Sequence, residues 1–407
     1  MASEIPSGNA VVAQSGGPSA VINQSLVGVI EGLRGQKGVG RILGARHGVR
    51  GMVKDEFVDL TDLPQDRLDL VASTPSSALG STRDKPDPAY CERILTGLKK
   101  HSIRSFFYIG GNDSSDTCRI VSEMASASGY EMRAYHVPKT IDCDLMMSDH
   151  TPGFASAARY VAMAFLGDNL DNRALPGIKI NVVMGRHAGF LTGASALLRQ
   201  REDDGPHVVC MPEVPFVFAE FAAKVEQVYA RLGRCLIAIS EGVQDAQGTP
   251  IMQLLAPTQE RDAHGNLRLS GTGALGDTAA QMLAAKLTPA GGKPPRTRAD
   301  TLGYAQRYWP DPSPVDSREA REVGRVAART AFGGPTRGSI AIVRTGGAGS
   351  PNPGRPYGAE FKRVELTDVA AKTRHMPAEF LNGMDVTPAF VEWLRPLVGE
   401  TPRVGWV

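Results

Sequence analysis

"IRSFFYIGGNDSSDTCRIVSEMASASG", residues 103–129, contains one complete unit of the fold. The apolar run Ile103–Ile109 reads as a buried strand, and Ser115–Gly129 has the apolar spacing of a helix. Gly110 and Gly111 join the two. Glycines placed after a strand let a phosphate approach bare backbone. Yet Asp113 puts an anion where a phosphate would call for a cation or an N–H. The other reading of Asn112, Asp113 and Ser114 is a helix N-cap, which all three side chains suit.

The same strand, turn and helix order recurs along the chain. "AVVAQS" (10–15) reads as a strand and "PSAVINQSLVGVIEGLRG" (18–35) as a helix, with Pro18 near its first turn and Gly35 beyond its end. Further strands are expected at 132–137, 178–184, 235–240 and 339–344, the first of them ending at Pro138. Helices are expected at "FASAARYVAMAFLGDNL", at 219–233 and at 316–332. The regions 248–270, 289–316 and 345–356, rich in Gly, Pro and polar residues, read as loops. Such alternation implies an α/β protein with mainly parallel sheets covered by helices, in doubly wound form. Ligands of open α/β folds bind at the carboxyl ends of strands, where several of the motifs below fall.

The chain has 407 residues, enough for two domains or one elaborate α/β unit. Its formal net charge of +2 gives no global argument for nucleic acid or an acidic membrane surface as a partner. Cys91, Cys118, Cys143, Cys210 and Cys235 are odd in number and form no CxxC pair. That pattern favours reduced thiols over a disulfide framework or a zinc site. "MASEIPSGNA" lacks the basic and apolar regions of a leader, and no run reaches the ~18 apolar residues of a membrane span. A cytoplasmic protein is expected.

Three stretches carry the chemistry. In "QSGGPSAVIN" (14–23), Ser15, Gly16 and Gly17 lie between a strand and the expected helix, either an anion cradle or a tight turn. Neither GxGxxG nor GxxxxGK[ST] is present there. "IGGNDSSDT" is the second stretch. The third, "PKTIDCD" (138–144), crowds Lys139, Thr140, Asp142 and Asp144 behind a strand, and an extended chain would point both aspartates the same way. One carboxylate can accept a hydroxyl proton and another can hold Mg2+, while the ammonium can offset charge on a transferring phosphoryl group. Arg83 in "LGSTRD", Arg186 in "MGRHAG", and Arg298 and Arg307 in "RADTLGYAQR" each read equally well as surface arginines.

Together these segments resemble the phosphofructokinases, and within them the pyrophosphate-dependent branch. "SGGPSAVIN", "LGSTR", "IGGNDSSDT", "PKTIDCD", "TPGFASAA", "MGRHAGFL", "EG" and "LGYAQR" occur in family order, and "MPAEFLNGMDVTPAFVEWLRPLVG" is similar to the family's ending. The resemblance accounts for Asp113. ATP-using members have glycine there, which leaves room for the nucleotide's α-phosphate. A carboxylate fills and repels that place in the pyrophosphate branch, and Lys139 reaches the shorter donor.

The resemblance implies the following roles. Asp142 takes the proton of the sugar's 1-hydroxyl, with Lys139, Thr140 and Arg83 acting on the transferring group. Gly16, Gly17, Gly111, Asn112, Asp113 and Ser114 line the donor path. Asp144 and Asn112 lie at the metal, Mg2+, where Asn112 stands in the place of a family aspartate. Met184, Gly185, Arg186 and Glu241 form the sugar-phosphate pocket, and Arg298, Tyr304 and Arg307 bind the 6-phosphate. The family also has an arginine reaching the sugar phosphate from a neighbouring subunit, for which Arg173 and Lys179 are the nearest residues.

The implied substrates are pyrophosphate and fructose 6-phosphate, the product fructose 1,6-bisphosphate, and the assembly a homodimer or homotetramer. The implied fold has two doubly wound domains with the chain crossing between them and the site in the cleft. A donor-side domain takes 1–150 and is rejoined by about 306–370; a sugar-side domain takes 151–305, rejoined by about 371–407. The alternatives are an ATP-dependent enzyme, a preference for sedoheptulose 7-phosphate and a catalytically silent regulatory subunit. Retention of Lys139, Asp142 and Asp144 speaks against the last. A nicotinamide dehydrogenase would need the absent GxGxxG.

Overall fold

In the computed structural model, residues 6–251 and 274–405 are described; residues 252–270 of the expected first loop lie outside them. The strands in chain order are β1 (Gly8–Gln14), β2 (Val39–Ala45), β3 (Phe57–Asp59), β4 (Ile103–Gly110), β5 (Arg133–Pro138), β6 (Ile178–Val183), β7 (Val208–Cys210), β8 (Cys235–Ser240), β9 (Thr297–Thr301), β10 (Arg337–Gly346) and β11 (Gly358–Val364). They form a seven-stranded sheet ordered β11-β10-β5-β4-β1-β2-β3 and a four-stranded sheet ordered β7-β8-β6-β9. Pairing is parallel except where β3 meets β2 and β11 meets β10. This is the α/β class expected from the sequence.

The chain divides into two units. Met1–Ser156 with Arg307–Arg374 carries the larger sheet, and Ala157–Gln306 with His375–Val407 the smaller.

The larger sheet is buried on both faces, which is why its strands read as unbroken apolar runs. Ala10 and Val12 of β1 enter one core with Ile22, Val27, Val323 and Ala327. Val11 and Ala13 point the other way, among Ile94, Leu98, Cys118 and Val121. On the first face the helices Ile22–Leu33 and Pro314–Gly333 cross with backbones almost touching. A Cβ on Gly28 would lie 2.0 Å from the Arg321 carbonyl oxygen, and one on Gly324 2.3 Å from that of Ser25. Beside the crossing, Glu31 accepts from Arg321 Nη2 at 2.5 Å and Arg325 Nε at 2.8 Å. Burial alone would raise the Glu31 pKa; these guanidinium bonds bring it down to about 2.

In the second unit, β6 and β8 pack against the helices Phe218–Leu232 and Ala274–Leu287 through Ile180, Ile237, Phe221 and Leu283. The C-terminal helix Pro388–Val398 is anchored by Phe390 and Trp393, whose ring centroids lie 5.7 Å apart and which also meet Phe380 and Phe190.

Two expectations need correction. The first helix starts at Ile22, not at Pro18. The Ser19 carbonyl oxygen accepts from Ser76 N at 3.2 Å, so it is not part of an intrahelical ladder. The region 289–316 is not all loop, since it holds β9, a short helix Ala305–Tyr308 and the start of the helix at Pro314. As "TRADT", β9 has no apolar run to betray it. Among the described residues it is an edge strand paired only with β6, so little of it needs to be buried. All five cysteines are buried and free, and Phe106, Phe107 and Tyr108 are core residues of β4. No helix among the described residues is long and apolar enough to cross a membrane.

Candidate active site

In the first unit, β5, β4 and β1 are consecutive parallel neighbours. Gln14 pairs with Ile109 and Gly110 with Pro138, so three motif-bearing turns leave the sheet at one edge.

The first turn, Ser15–Gly17, is tied to the other two and to the segment before Arg83. Ser15 Oγ donates to the Ile109 carbonyl at 3.0 Å and also contacts Ser114 Oγ. Gly16 N donates to the Thr82 carbonyl at 2.8 Å, and Ser81 Oγ to the Gly16 carbonyl at 2.6 Å. Gly16 has φ +74°, the left-handed region that glycine alone enters freely, and a Cβ there would lie 3.1 Å from Lys139 Nζ.

Lys139 is 3% exposed, and its ammonium donates to the Gly17 carbonyl oxygen at 2.8 Å. Burial lowers its pKa to about 8. Arg307 and Arg83 push the same way, and Asp142 and Asp144 oppose them. Two cations and two carboxylates therefore surround this ammonium closely enough to act on its charge. Arg307, expected at a sugar 6-phosphate, stands here against the turn after β1: a Cβ on Gly17 would lie 2.5 Å from its Nη1.

The second turn leads straight into the helix Asn112–Ala127. Its N-cap is Gly111 and no side chain caps it. Asn112, Asp113 and Ser114 are thus first-turn residues rather than the cap. Asn112 Nδ2 donates to Asp144 Oδ2 at 3.3 Å, while its Oδ1 is buried and accepts no hydrogen bond. An amide oxygen beside a carboxylate, one of them lacking a donor, fits a hard cation. Among the described residues, no group of three or more His, Cys, Asp or Glu is placed to hold a metal. Asp113 is largely exposed and pairs with Lys85 Nζ at 3.1 Å.

In the third segment, Asp142 N donates to Thr140 Oγ1 at 3.2 Å. Ile141 and Cys143 are buried while Asp142 and Asp144 are half-buried, so the alternation expected of an extended chain survives. The chain is not extended throughout, because Cys143 has φ 60°.

In the second unit, β6 lies between β8 and β9, both parallel to it. Met184, Gly185 and Arg186 follow β6, and Glu241 follows β8 at the same sheet edge. Ser240 Oγ donates to the Gly185 carbonyl at 2.6 Å, joining the two turns. Met184 N donates to Gln306 Oε1 at 3.2 Å, linking them to the Tyr304 segment. Glu241 is buried; Arg186 and Tyr304 are exposed. Arg298 is not brought to this edge. It pairs with Lys179, four positions before Val183, about 13 Å along the strand at ~3.3 Å per residue. Lys179 and Arg173 are each held by carboxylates of their own unit: Lys179 by Asp168 at 2.7 Å and Asp300 at 2.8 Å, Arg173 by Asp203 at 2.8 Å and Asp204 at 2.9 Å.

Sequence reading named Ser15 only as part of the first turn, and missed Lys85 and Thr151. Ser15 and Thr151 touch the motif turns through partners 99 and 11 residues away. Lys85 carries no local signal beyond following "STRD".

A family model described as phosphofructokinase matches residues 9–331. The chain is 55% identical over 396 residues to the pyrophosphate–fructose 6-phosphate 1-phosphotransferase of Rhodospirillum rubrum, covering 97% of this chain and 95% of that one. It is 37% identical over 408 residues to the protein of the same name from Xanthomonas campestris, covering 97% and 93%. A crystal structure of a pyrophosphate-dependent phosphofructokinase from Nitrosospira multiformis superimposes with a TM-score of 0.82 at 32% identity, covering 98% of this chain and 94% of that one.

Proposed function

The chain belongs to the phosphofructokinase family, and we propose that its reaction is phosphoryl transfer from pyrophosphate to the 1-hydroxyl of fructose 6-phosphate, giving fructose 1,6-bisphosphate and phosphate. The reaction is reversible, because pyrophosphate and orthophosphate differ less in phosphorylation energy than ATP and ADP do under cellular conditions. The observation that carries this reading is the buried Lys139 ammonium, fixed on the Gly17 carbonyl at the edge where Asp113 stands. A compact, highly charged donor suits a buried point charge. The Asp113 carboxylate disfavours a longer chain of phosphates leading to a nucleoside.

Catalysis is then positioning and charge neutralisation. Asp142 accepts the hydroxyl proton as the sugar oxygen attacks. Lys139 and Arg83 stabilise the charge spreading over the transferring group, with Arg307 adding to the positive potential around Lys139. Thr140 orders the segment by accepting from Asp142 N. Gly16, Gly17 and Gly111 expose backbone to the donor. Asp144 and Asn112 would hold Mg2+, which would supply charge neutralisation for the donor. Met184, Gly185, Arg186, Glu241 and Tyr304 serve the sugar phosphate. The five free thiols suit a reducing, cytoplasmic setting, and a homodimer or homotetramer is the assembly proposed.

The test is a purified-protein assay with fructose 6-phosphate, Mg2+ and either pyrophosphate or ATP. Turnover with pyrophosphate alone is expected. Turnover with ATP alone would overturn the donor assignment, and turnover with sedoheptulose 7-phosphate in preference to fructose 6-phosphate would overturn the acceptor.

A further inference from the structure

The segment after the Asp142–Asp144 pair is held by a buried charged cluster that the reaction above does not use. His150 is 1% exposed. Its Nδ1 lies 2.8 Å from Asp149 Oδ2 and its Nε2 2.6 Å from Glu319 Oε2. Arg344 Nε donates to Asp149 Oδ2 at 3.0 Å, and the Tyr357 hydroxyl donates to Glu319 Oε1. Asp316, on the same helix as Glu319, accepts from Gly153 N and Ser156 N, each at 2.9 Å. Asp149, Glu319, Tyr357, Arg344 and Asp316 are the charged or titratable groups acting around the imidazole. Burial would strip its proton, but the Asp149 and Glu319 bonds hold it on, raising its pKa to about 9. At neutral pH the ring therefore donates from both nitrogens.

The cluster is fastened to the reacting segment. Thr151 Oγ1 donates to the Thr140 carbonyl at 2.8 Å, and Thr140 N to the Pro152 carbonyl at 3.2 Å. Ser148 and Asp149 are stitched to Ile342 of β10. This anchoring meets a need, since Cys143 and Met147 have φ 60° and 68°, conformations that L side chains rarely adopt. Local preference does not hold such a course; tertiary contacts must.

We propose that the His150–Glu319 ion pair is a positioning element for phosphoryl transfer, fixing Thr140 and Asp142 through Thr151. This rests on the assignment of Asp142 as proton acceptor. A purely structural pair would change the melting temperature alone. A positioning pair changes kcat at constant KM, because substrates still bind while the base is displaced.

Glu319→Gln keeps the shape and an acceptor at Nε2 but removes the charge. In the pyrophosphate assay its kcat is expected to fall about tenfold, within what a sub-ångström misplacement costs, with KM for both substrates held within about twofold. Losing one carboxylate partner also moves the high-pH limb of its kcat profile down by about one unit. Tyr357→Phe removes one hydrogen bond to Glu319 and gives the same pattern at about twofold, so the test survives if Glu319→Gln does not fold. An unchanged kcat with a lowered melting temperature, or a loss confined to KM, overturns the proposal while leaving the reaction in place. A wild-type enzyme that transfers nothing from pyrophosphate overturns the functional reading itself.

Discussion

The Lys139 ammonium and the Gly17 carbonyl oxygen are 2.8 Å apart in a site where the lysine is almost wholly buried. That bond offsets part of the desolvation and aims a cation at the turn after β1. It leaves the lysine pKa near 8, below the ordinary lysine value. The group is charged below pH 8 and loses its proton as pH rises through 8. In the proposed role of Lys139, donor binding needs the charged form. The KM for pyrophosphate should therefore be flat from pH 6.5 to 7.5 and climb above pH 8. Lys139→Arg, whose guanidinium does not titrate there, should abolish that climb even if its KM is higher throughout. A flat wild-type profile to pH 9.5 would show that the ammonium does not control donor binding.

Asp113 in the first helical turn is exposed and meets Lys85 at 3.1 Å. The donor filter proposed for it would act through volume and charge, not through any strong internal bond, since exposed ion pairs contribute little. Asp113→Gly should leave the melting temperature within a degree or two and raise kcat/KM for ATP about tenfold or more, a shift of the size expected when a like-charge clash of ~1.4 kcal/mol is removed. Steady-state kinetics with both donors decide it. No gain with ATP would move the filter to another residue.

Much of the fold was legible because burial on both sheet faces leaves runs such as "FFYI" and "LIAI" with no polar interruption. β9 was not, because an edge strand spelled "TRADT" satisfies only one neighbour. The short β3 and β7, three residues each, were equally silent. At the site, the motif order gathered residues from three strand ends, but side-chain direction is a tertiary fact. Nothing in "LGYAQR" tells that Arg307 lies against Gly17, 290 positions away. Nothing near His150 announces Glu319, 169 residues further on. Pairings at such separations are set by how the helix Pro314–Gly333 returns to the sheet, and that return depends on its close crossing with the helix Ile22–Leu33.

That crossing gives a test of fold energetics on a single helix. Gly324 has the Ser25 carbonyl oxygen 2.3 Å from where a Cβ would stand, whereas Gly333, at the end of the same helix, has nothing within 4 Å. Gly333→Ala gains helix propensity and should be neutral or stabilising by up to ~1 kcal/mol. Gly324→Ala gains the same propensity but forces backbone from backbone, and should lose about 2–3 kcal/mol. Urea midpoints with unchanged slopes would report both. Similar shifts for the two variants would mean that the helices separate without cost.

The roles proposed for Asp142 and Tyr304 predict different losses. Asp142 sits half-buried on a segment tied to Thr140 and contributes to the field at Lys139. Tyr304 is 42% exposed on the Gln306 side of the sugar-phosphate residues. Replacing the base in Asp142→Asn keeps the volume and most hydrogen bonding but offers no proton acceptor. Its kcat should fall about 1000-fold, inside the usual range for general-base catalysis, with KM for both substrates little changed. On the proposed role of Tyr304, Tyr304→Phe removes one hydroxyl donor to the 6-phosphate at a position that water also reaches. Its cost should stay under about tenfold and fall on KM for fructose 6-phosphate. Two variants with equal kcat losses would place the proton acceptor elsewhere, because a binding contact and a base cannot share that signature.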